Sequence, residues 1–168
     1  KVTTTKTLID SKQLADLKIF CLVLEYSDEV KKVTKTLDYQ GEMDFLVRDT
    51  KRNVFIRNLA ISRKGNTLVL FQYVEKHGKV LHEMIQEKVT EGRTVFFVHG
   101  GTDTEQREQV RAITESESNA IIVASYGTYS AGVNIKNLHN IIFASPSKSR
   151  IRNLQSIGRG LRVSETKN

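Results

Sequence analysis

Residues 120–124 read AIIVA, and three runs of the same kind lie at residues 67–73 (TLVLFQY), 94–98 (TVFFV) and 140–144 (NIIFA). Within these runs apolar residues mostly follow one another instead of alternating with polar ones. Continuous apolarity is typical of strands that are covered on both faces, as in a parallel sheet. The four runs therefore predict the central strands of one buried sheet.

The segments between these runs have the periodicity of helices. Residues 76–91 carry apolar side chains at helical spacing and stop at Gly92, and residues 103–118 do the same after a capping Thr102 or Asp103. Strand and helix thus alternate at intervals of roughly 20 to 30 residues, which is the βαβ rhythm of a wound parallel sheet. We expect an α/β fold with helices on both faces of a mainly parallel sheet.

The first third of the chain is less regular. Residues 17–25 (LKIFCLVLE) predict a further strand. Residues 38–61 predict mainly helix, with a break near Asp49 and an end at residues 64–66 (KGN). No internal repeat and no long linker divides the sequence.

The composition restricts the class of protein. A chain of 168 residues with 39% apolar and 27% charged residues is typical of a globular domain and excludes collagen-like and low-complexity proteins. The lone Cys21 cannot form an internal disulfide, and four scattered histidines give no zinc spacing, so no metal site is predicted. No apolar run is long enough for a membrane span or a signal peptide.

The charge indicates a possible class of partner. Lys and Arg total 26 against 19 Asp and Glu, which gives a formal net charge of +7. An excess of this size favours a polyanionic partner such as nucleic acid, although a basic surface also keeps a protein in solution.

The loops after the first three strands are candidate phosphate contacts. Ligands of wound parallel sheets bind beyond the carboxyl ends of the strands, where backbone N–H groups are exposed at loops and helix N-termini. Glycines and small hydroxyl residues follow each strand, and such groups hold phosphates without reading base sequence. The alternative is that they are ordinary turn and capping residues. The candidates are His77, Gly78, Gly100, Gly101, Thr102, Ser125 and Thr128.

The most informative single string is QSIGRGLR at residues 155–162, after a helix predicted to start at Ser147. It places Arg159 and Arg162 three residues apart beside a glycine that lets a backbone approach closely. Guanidinium groups are planar and always charged, so they bind phosphate oxygens at two points and stabilise developing charge on a transferring phosphoryl group. The alternative is a pair of cations that complements the C-terminus of a helix.

This string resembles motif VI of superfamily-two helicases, whose pattern is approximately QxxGRxxR. Residues 124–134 (ASYGTYSAGVN) resemble motif V, and the run at residues 67–73 with its loop resembles motif IV. The three occur in the family's order and spacing, and the wider match is to the recombination helicases of bacteriophages. The resemblance implies a RecA-like second motor domain, with its core at residues 67–168. Residues 1–66 are then the connection from a first motor domain and the start of the second.

The resemblance also implies roles for individual residues. Arg162 corresponds to the arginine finger, Arg159 to a second γ-phosphate contact, and Gln155 to a residue that couples the nucleotide to domain closure. Gly132 and Asn134 correspond to positions near the ribose and the cleft, although many relatives carry Asp where this chain has Asn134.

Nucleic-acid contacts follow from the resemblance as well. Ser125 and Thr128 correspond to contacts with the phosphates of the tracking strand, as do the loops at residues 77–78 and 100–102. The implied function is that of an ATP-dependent DNA helicase or translocase on branched DNA such as forks, R-loops and recombination junctions. The implied location is the cytoplasm, that of an infected bacterial host if the protein is phage-encoded.

No GxxxxGK[ST] phosphate loop occurs in the sequence. The resemblance therefore implies half of a motor, in which a first RecA-like domain of the same polypeptide supplies the phosphate loop, most of the Mg²⁺ coordination and the catalytic acid. We expect this chain to have no ATPase activity alone.

Other functions fit the sequence less well. An α/β hydrolase needs a glycine two residues before its serine, whereas Gly127 lies three before Ser130, and no acid lies between Ser130 and His139. A dinucleotide-binding domain needs GxGxxG after its first strand, whereas Gly158 and Gly160 come near the end of the chain. A non-catalytic nucleic-acid-binding or scaffold domain with a motor-like fold remains the alternative, against which the arginine pair argues.

Overall fold

The computed structural model describes residues 4–131, 135 and 137–163, and these form a sheet surrounded by helices. The strands are β1 (Thr67–Phe71), β2 (Val95–Val98), β3 (Ile121–Ser125) and β4 (Asn140–Phe143). The helices are α1 (Thr5–Asp10), α2 (Asp28–Thr34), α3 (Tyr39–Arg48), α4 (Thr50–Ser62), α5 (Lys79–Lys88), α6 (Thr104–Ser116), α7 (Tyr126–Ala131) and α8 (Arg150–Gly160). A turn of π-helix, Val74–Gly78, leads into α5.

The strands pair in the order β2-β3-β1-β4, and every pair is parallel. Thr67 is in register with both Ile121 and Asn140, so the three strands begin at the same level and end at the same edge. The predicted wound parallel sheet is confirmed, and each predicted strand lies within two residues of the observed one.

Side chains from alternate strand positions enter two separate cores. On the first face, Leu68, Leu70 and Ile122 pack with Tyr126 and Tyr129 of α7. On the second face, the set comprises Val69, Phe71, Ile121 and Val123 from the strands, Ile56 and Ala60 from α4, and Leu81 and Ile85 from α5. Helices therefore cover both faces, as the continuous apolar runs predict.

The predicted break in the helical segment at residues 38–61 is also observed. Asp49 separates α3 from α4, and its carboxylate accepts hydrogen bonds from the N–H groups of Lys51 (2.9 Å) and Arg52 (3.4 Å). Asp49 thus caps the second helix, since a carboxylate satisfies N–H groups that the first turn leaves without intrahelical partners. α4 lies before residue 67 and packs on the sheet, while the domain division at residue 66 stays a prediction.

The strand predicted at residues 17–25 is wrong. This segment has no strand assignment, and its apolar side chains are exposed, with Phe20 at 75% and Val23 at 83%. An apolar run forms a strand only where a neighbouring strand offers hydrogen bonds, and this segment has none within the described part of the chain. The sequence pattern identified its apolarity but could not supply a partner.

The side chain of Asn66 connects four segments at the start of β1. Its amide nitrogen lies 2.7–2.8 Å from the carbonyl oxygens of Thr114, Glu117 and Asn137, and its amide oxygen accepts the N–H of Ala120 at 2.8 Å. Asn66 is fully buried. It therefore fixes the end of α6 and the starts of β1 and β3 against the loop before β4.

We predict that Asn66→Ala lowers the free energy of unfolding by about 3 kcal/mol or more, because it leaves several buried polar groups without partners at about 1–3 kcal/mol each. Chemical denaturation followed by circular dichroism measures the change. Asn58→Ala, at an exposed position of α4, is the control and should stay within about 0.5 kcal/mol of the parent. Equal stability of both variants would contradict the role of Asn66.

Candidate functional site at the carboxyl edge and along α8

A chain of hydrogen bonds ties the carboxyl edge of the sheet together. The N–H of Gln72, after β1, donates to Ser145 Oγ (3.0 Å), and Ser145 Oγ lies 2.9 Å from His77 Nδ1. His77 Nε2 lies 3.1 Å from Asn53 Oδ1, and Asn53 Nδ2 donates to Val47 O (2.9 Å). The chain joins β1, β4, the π-helical turn, α4 and α3.

The partners of His77 define its tautomer. Asn53 Oδ1 can only accept, so His77 Nε2 carries the proton and donates, and Nδ1 accepts from the hydroxyl of Ser145. The ring is fully buried. Burial, with a smaller contribution from the charge of Arg52, lowers the pKa of His77 to about 4, so the ring is neutral at pH 7.

His77 and Gly78, which were expected to contact a phosphate, are buried in this structure. The His77 side chain has no exposed surface, and both ring nitrogens are engaged in the chain described above. Gly78 is also buried, and a Cβ atom there would lie 2.5 Å from the ring of Phe71. Gly78 thus permits close packing of the π-helical turn on β1, and both residues are structural.

The loop after β2 uses most of its N–H groups internally. His99 N donates to Thr102 Oγ1 (3.0 Å), Gly101 N to His99 Nδ1 (3.0 Å), and Thr102 N to His99 O (3.0 Å). Thr102 is buried, whereas Gly100 and Gly101 are exposed. Thr102 therefore shapes the turn, and the two glycines form its accessible surface.

The hydroxyls of Ser125 and Thr128 bond to each other. Their oxygens lie 2.8 Å apart, and the N–H of Thr128 donates to Ser125 Oγ at 3.3 Å. Both side chains are buried, and Gly127 between them is exposed. The pair holds the first turn of α7 in place at the end of β3, with Gly127 on the surface of that turn.

The string QSIGRGLR lies within α8 and at its end, not after the helix as the sequence suggested. Gln155 and Arg159 are four residues apart within α8, so the helix places them on one face, and Arg162 lies just beyond the end of the helix. α8 begins beyond the carboxyl edge and runs back along the first face of the sheet. A Cβ atom at Gly160 would lie 2.7 Å from Ile141 Cδ1, so this glycine lets the helix end close to β4.

Two arginines of α8 stack on two tyrosines of α7. The Cζ atom of Arg152 lies 5.6 Å from the ring centroid of Tyr126, and that of Arg159 lies 5.5 Å from the ring centroid of Tyr129. Cations at this distance are attracted to the face of an aromatic ring. The stacks fix the side chain of Arg159 against α7.

Arg162 also acts on Tyr129. Burial raises the pKa of the Tyr129 hydroxyl to about 12, and the charges of Arg159 and Arg162 both oppose that rise. The two guanidinium groups are therefore near the same hydroxyl, and two adjacent cations suit a phosphate better than a neutral ligand.

Gly132 and Asn134, predicted near a ribose, lie outside the described residues.

Several residues of this region were not predicted from the sequence. Arg52 donates from Nη2 to Ala144 O (2.6 Å), just beyond β4, and Tyr126 donates from its hydroxyl to Ser145 O (2.8 Å). The partners in these two contacts are 92 and 19 positions apart in the sequence. The spacing of Arg152, Gln155 and Arg159 on one helical face is the signal that could have identified Arg152.

The described residues contain no group of three or more His, Cys, Asp or Glu side chains arranged to hold a metal ion. Within the same residues, every helix is too short or too polar to cross a membrane.

Comparisons with known proteins identify relatives of this chain. The family described as helicase conserved C-terminal domain matches residues 50–164. The ATP-dependent DNA helicase uvsW of Enterobacteria phage T4 is 38% identical over 165 residues, which cover 96% of this chain and 32% of that protein. The crystal structure of T4 UvsW superimposes with a TM-score of 0.70 and 37% identity over 84% of this chain and 29% of that chain. This chain thus spans about a third of the length of these relatives.

The neutral His77 predicts a pH dependence of stability. Its pKa is about 4 in the folded protein, below the ordinary 6.5, so the unfolded chain binds a proton first as the pH falls. The contribution is complete above pH 6.5 and is lost between pH 6.5 and 4, by about 3 kcal/mol in total. Denaturation at a series of pH values should show this loss, and His77→Gln should reduce it.

An NMR titration of the His77 ring gives a second measurement that does not depend on the variant folding. A ring that titrates near pH 6.5 would contradict the proposed burial and tautomer.

Proposed function

Since this chain belongs to the family of helicase conserved C-terminal domains, we propose that it is the second, RecA-like motor domain of an ATP-dependent DNA helicase or translocase. The observation that carries the proposal is the placement of Gln155 and Arg159 on one face of α8, with Arg159 stacked on Tyr129 of α7 and Arg162 just beyond the end of the helix, where its charge acts on the same tyrosine. A fold that only binds nucleic acid does not need an arginine pair held in this way.

The two arginines have distinct tasks in this proposal. Arg162 is exposed just beyond the C-terminus of α8, where it stabilises the negative charge that develops on a transferring phosphoryl group. Arg159 is half-buried, with its side chain packed against α7, and it holds a phosphate oxygen from this fixed position. Gln155 lies one helical turn before Arg159 and links the nucleotide to domain closure, and Gly132 and Asn134 contact the ribose side of the cleft.

ATP, when bound, supplies the phosphoryl group and the free energy of its hydrolysis, and a first motor domain of the same polypeptide supplies the phosphate loop and most of the Mg²⁺ coordination. Two observations support a partner domain. The sequence has no GxxxxGK[ST], and the residues proposed to hold phosphate are cations without a phosphate-cradling loop. The exposed apolar side chains of residues 17–24 are a surface that a neighbouring domain can bury.

The nucleic-acid surface in this proposal lies along the carboxyl edge. Gly100, Gly101 and Gly127 are exposed there, so a phosphate backbone can approach their peptide groups closely. Thr102, Ser125 and Thr128 position these turns by the bonds described above. The substrate is DNA with branches such as forks and recombination junctions, and the enzyme acts in the cytoplasm during recombination, repair or replication.

We predict that Arg162→Ala in the full-length protein lowers kcat for ATP hydrolysis by roughly 10³-fold, the effect of removing an arginine finger, with a modest change in KM. Arg162→Lys keeps the charge but not the two-point geometry and should restore little activity. Arg63→Ala, at an exposed position after α4, is the control for losing one cation and should keep the parental rate.

An unchanged kcat for Arg162→Ala would contradict the role of Arg162 as an arginine finger and favour the non-catalytic alternative. The isolated 168-residue chain serves as a blank in the same assay, and ATP hydrolysis by it would contradict the half-motor proposal.

We also predict that the isolated chain binds single-stranded DNA weakly and that the affinity falls as salt rises, because each phosphate contact releases a counterion. Fluorescence anisotropy of a labelled oligonucleotide at a series of salt concentrations gives the slope of log K against log salt. A slope near zero would contradict phosphate contacts.

A further inference from the structure

A cleft of about 260 Å³ lies between the carboxyl ends of β1 and β4. The helices that follow these two strands cover opposite faces of the sheet, because α5 packs in the second core and the end of α8 lies against Ile141, which packs on the first. Neighbouring strands whose connections leave to opposite faces form a crevice, and ligands of open α/β sheets bind in such crevices. The position therefore favours a ligand site independently of the lining residues.

The cleft is lined by two tyrosine rings, two cations, neutral polar groups and the apolar side chains of Met43 and Pro146. Tyr39, at the start of α3, is 48% exposed, and Lys148 Nζ lies 4.4 Å from its ring centroid. Arg152 Nη1 donates to Gln72 Oε1 at 2.9 Å, and Tyr73 forms part of the wall. No acidic side chain is among the residues that line this cleft in the described part of the chain.

We propose that this cleft binds one nucleotide unit of the DNA strand, with its base stacked on the ring of Tyr39 and its flanking phosphates held by Lys148 and Arg152. The inference rests on the proposed function and adds a base contact to a surface that otherwise offers only phosphate contacts. Aromatic faces accept any base, so the contact gives affinity without sequence preference. Lys148 now occupies the face of Tyr39 and has a long, exposed side chain that can turn towards a phosphate.

The cleft is separate from the arginine pair. Arg152 stands in the first turn of α8 and Arg162 just beyond its end, ten residues later, which is roughly 15 Å along a helix. The strand and the hydrolysed nucleotide thus occupy opposite ends of one helix.

Photocrosslinking tests the site directly. The 168-residue chain is irradiated at low salt with a single-stranded oligonucleotide that contains 5-iododeoxyuridine, which crosslinks to aromatic side chains on which the base stacks, and the adduct is mapped by mass spectrometry. We expect the adduct on Tyr39. An adduct confined to residues outside the cleft would overturn the proposal.

Anisotropy measurements on variants provide the second test. Tyr39→Ala should weaken binding of the oligonucleotide by about fivefold or more, the usual effect of losing one base–aromatic stack, and Tyr39→Phe should stay within about twofold of the parent. Lys148→Ala should weaken binding more than Lys88→Ala, which removes an equal charge from the exposed end of α5. Circular dichroism verifies that each variant is folded.

The outcomes separate this inference from the proposed function. If Tyr39→Ala and the parent bind the oligonucleotide equally, the proposed nucleotide site in the cleft is overturned, while the proposal that the chain binds a DNA strand is unaffected. If no form of the chain binds the oligonucleotide, the proposed function is contradicted as well. If a free nucleoside monophosphate competes with the oligonucleotide and binds with the same affinity, the assignment of the cleft to a DNA strand is overturned.

Discussion

The buried, neutral ring of His77 is the constraint on which the functional edge of this domain depends. A parallel sheet brings the ends of β1 and β4 to one edge, but backbone pairing ends with the strands. Beyond that point, His77 accepts from Ser145 after β4 and donates to Asn53 of α4. Ser145 in turn accepts the N–H of Gln72 after β1. A protonated ring would have to donate to Ser145 Oγ instead of accepting from it, so the present direction of the hydrogen bonds at this edge belongs to the neutral histidine.

The same edge connects to the arginines through α7 and α8. Tyr126 bonds to Ser145 O by its hydroxyl and stacks with Arg152 by its ring. One turn further along α7, Tyr129 stacks with Arg159. Because α7 starts directly after β3, the turn formed by Ser125 and Thr128 and the arginine face of α8 are joined by two ring contacts. A displacement of that turn by a bound strand would act on the arginine side chains without any intervening loop.

The sequence predicted the sheet well because its signal is local. Continuous apolar runs and helical periodicity identify buried strands and their crossover helices, and every strand of the sheet was found in this way. The strand at residues 17–25 failed because pairing depends on a partner that local apolarity does not show. The predicted phosphate contacts at His77 and Gly78 illustrate a related limit, since a polar residue and a glycine in a loop suit a phosphate contact or a packed core equally. Only the distances to Asn53, Ser145 and Phe71 decide between the two.

The arrangement of the motif at residues 155–162 could be predicted further from the sequence, because the spacing of residues in a helix determines which of them share a face. Residues three or four apart within a helix share a face, so the sequence alone groups Gln155 with Arg159, while Arg162 follows the end of the helix. The spacing also places Arg152 on this face, but it could not show that Arg152 reaches the cleft between β1 and β4, because part of that cleft is made by residues more than 70 positions away, such as Gln72. α8 is therefore a rigid element with a cleft at its start and two arginines at its end. If the DNA strand and the nucleotide bind as proposed, such an element would couple movement at one end to movement at the other, which is the mechanical property that a motor domain requires.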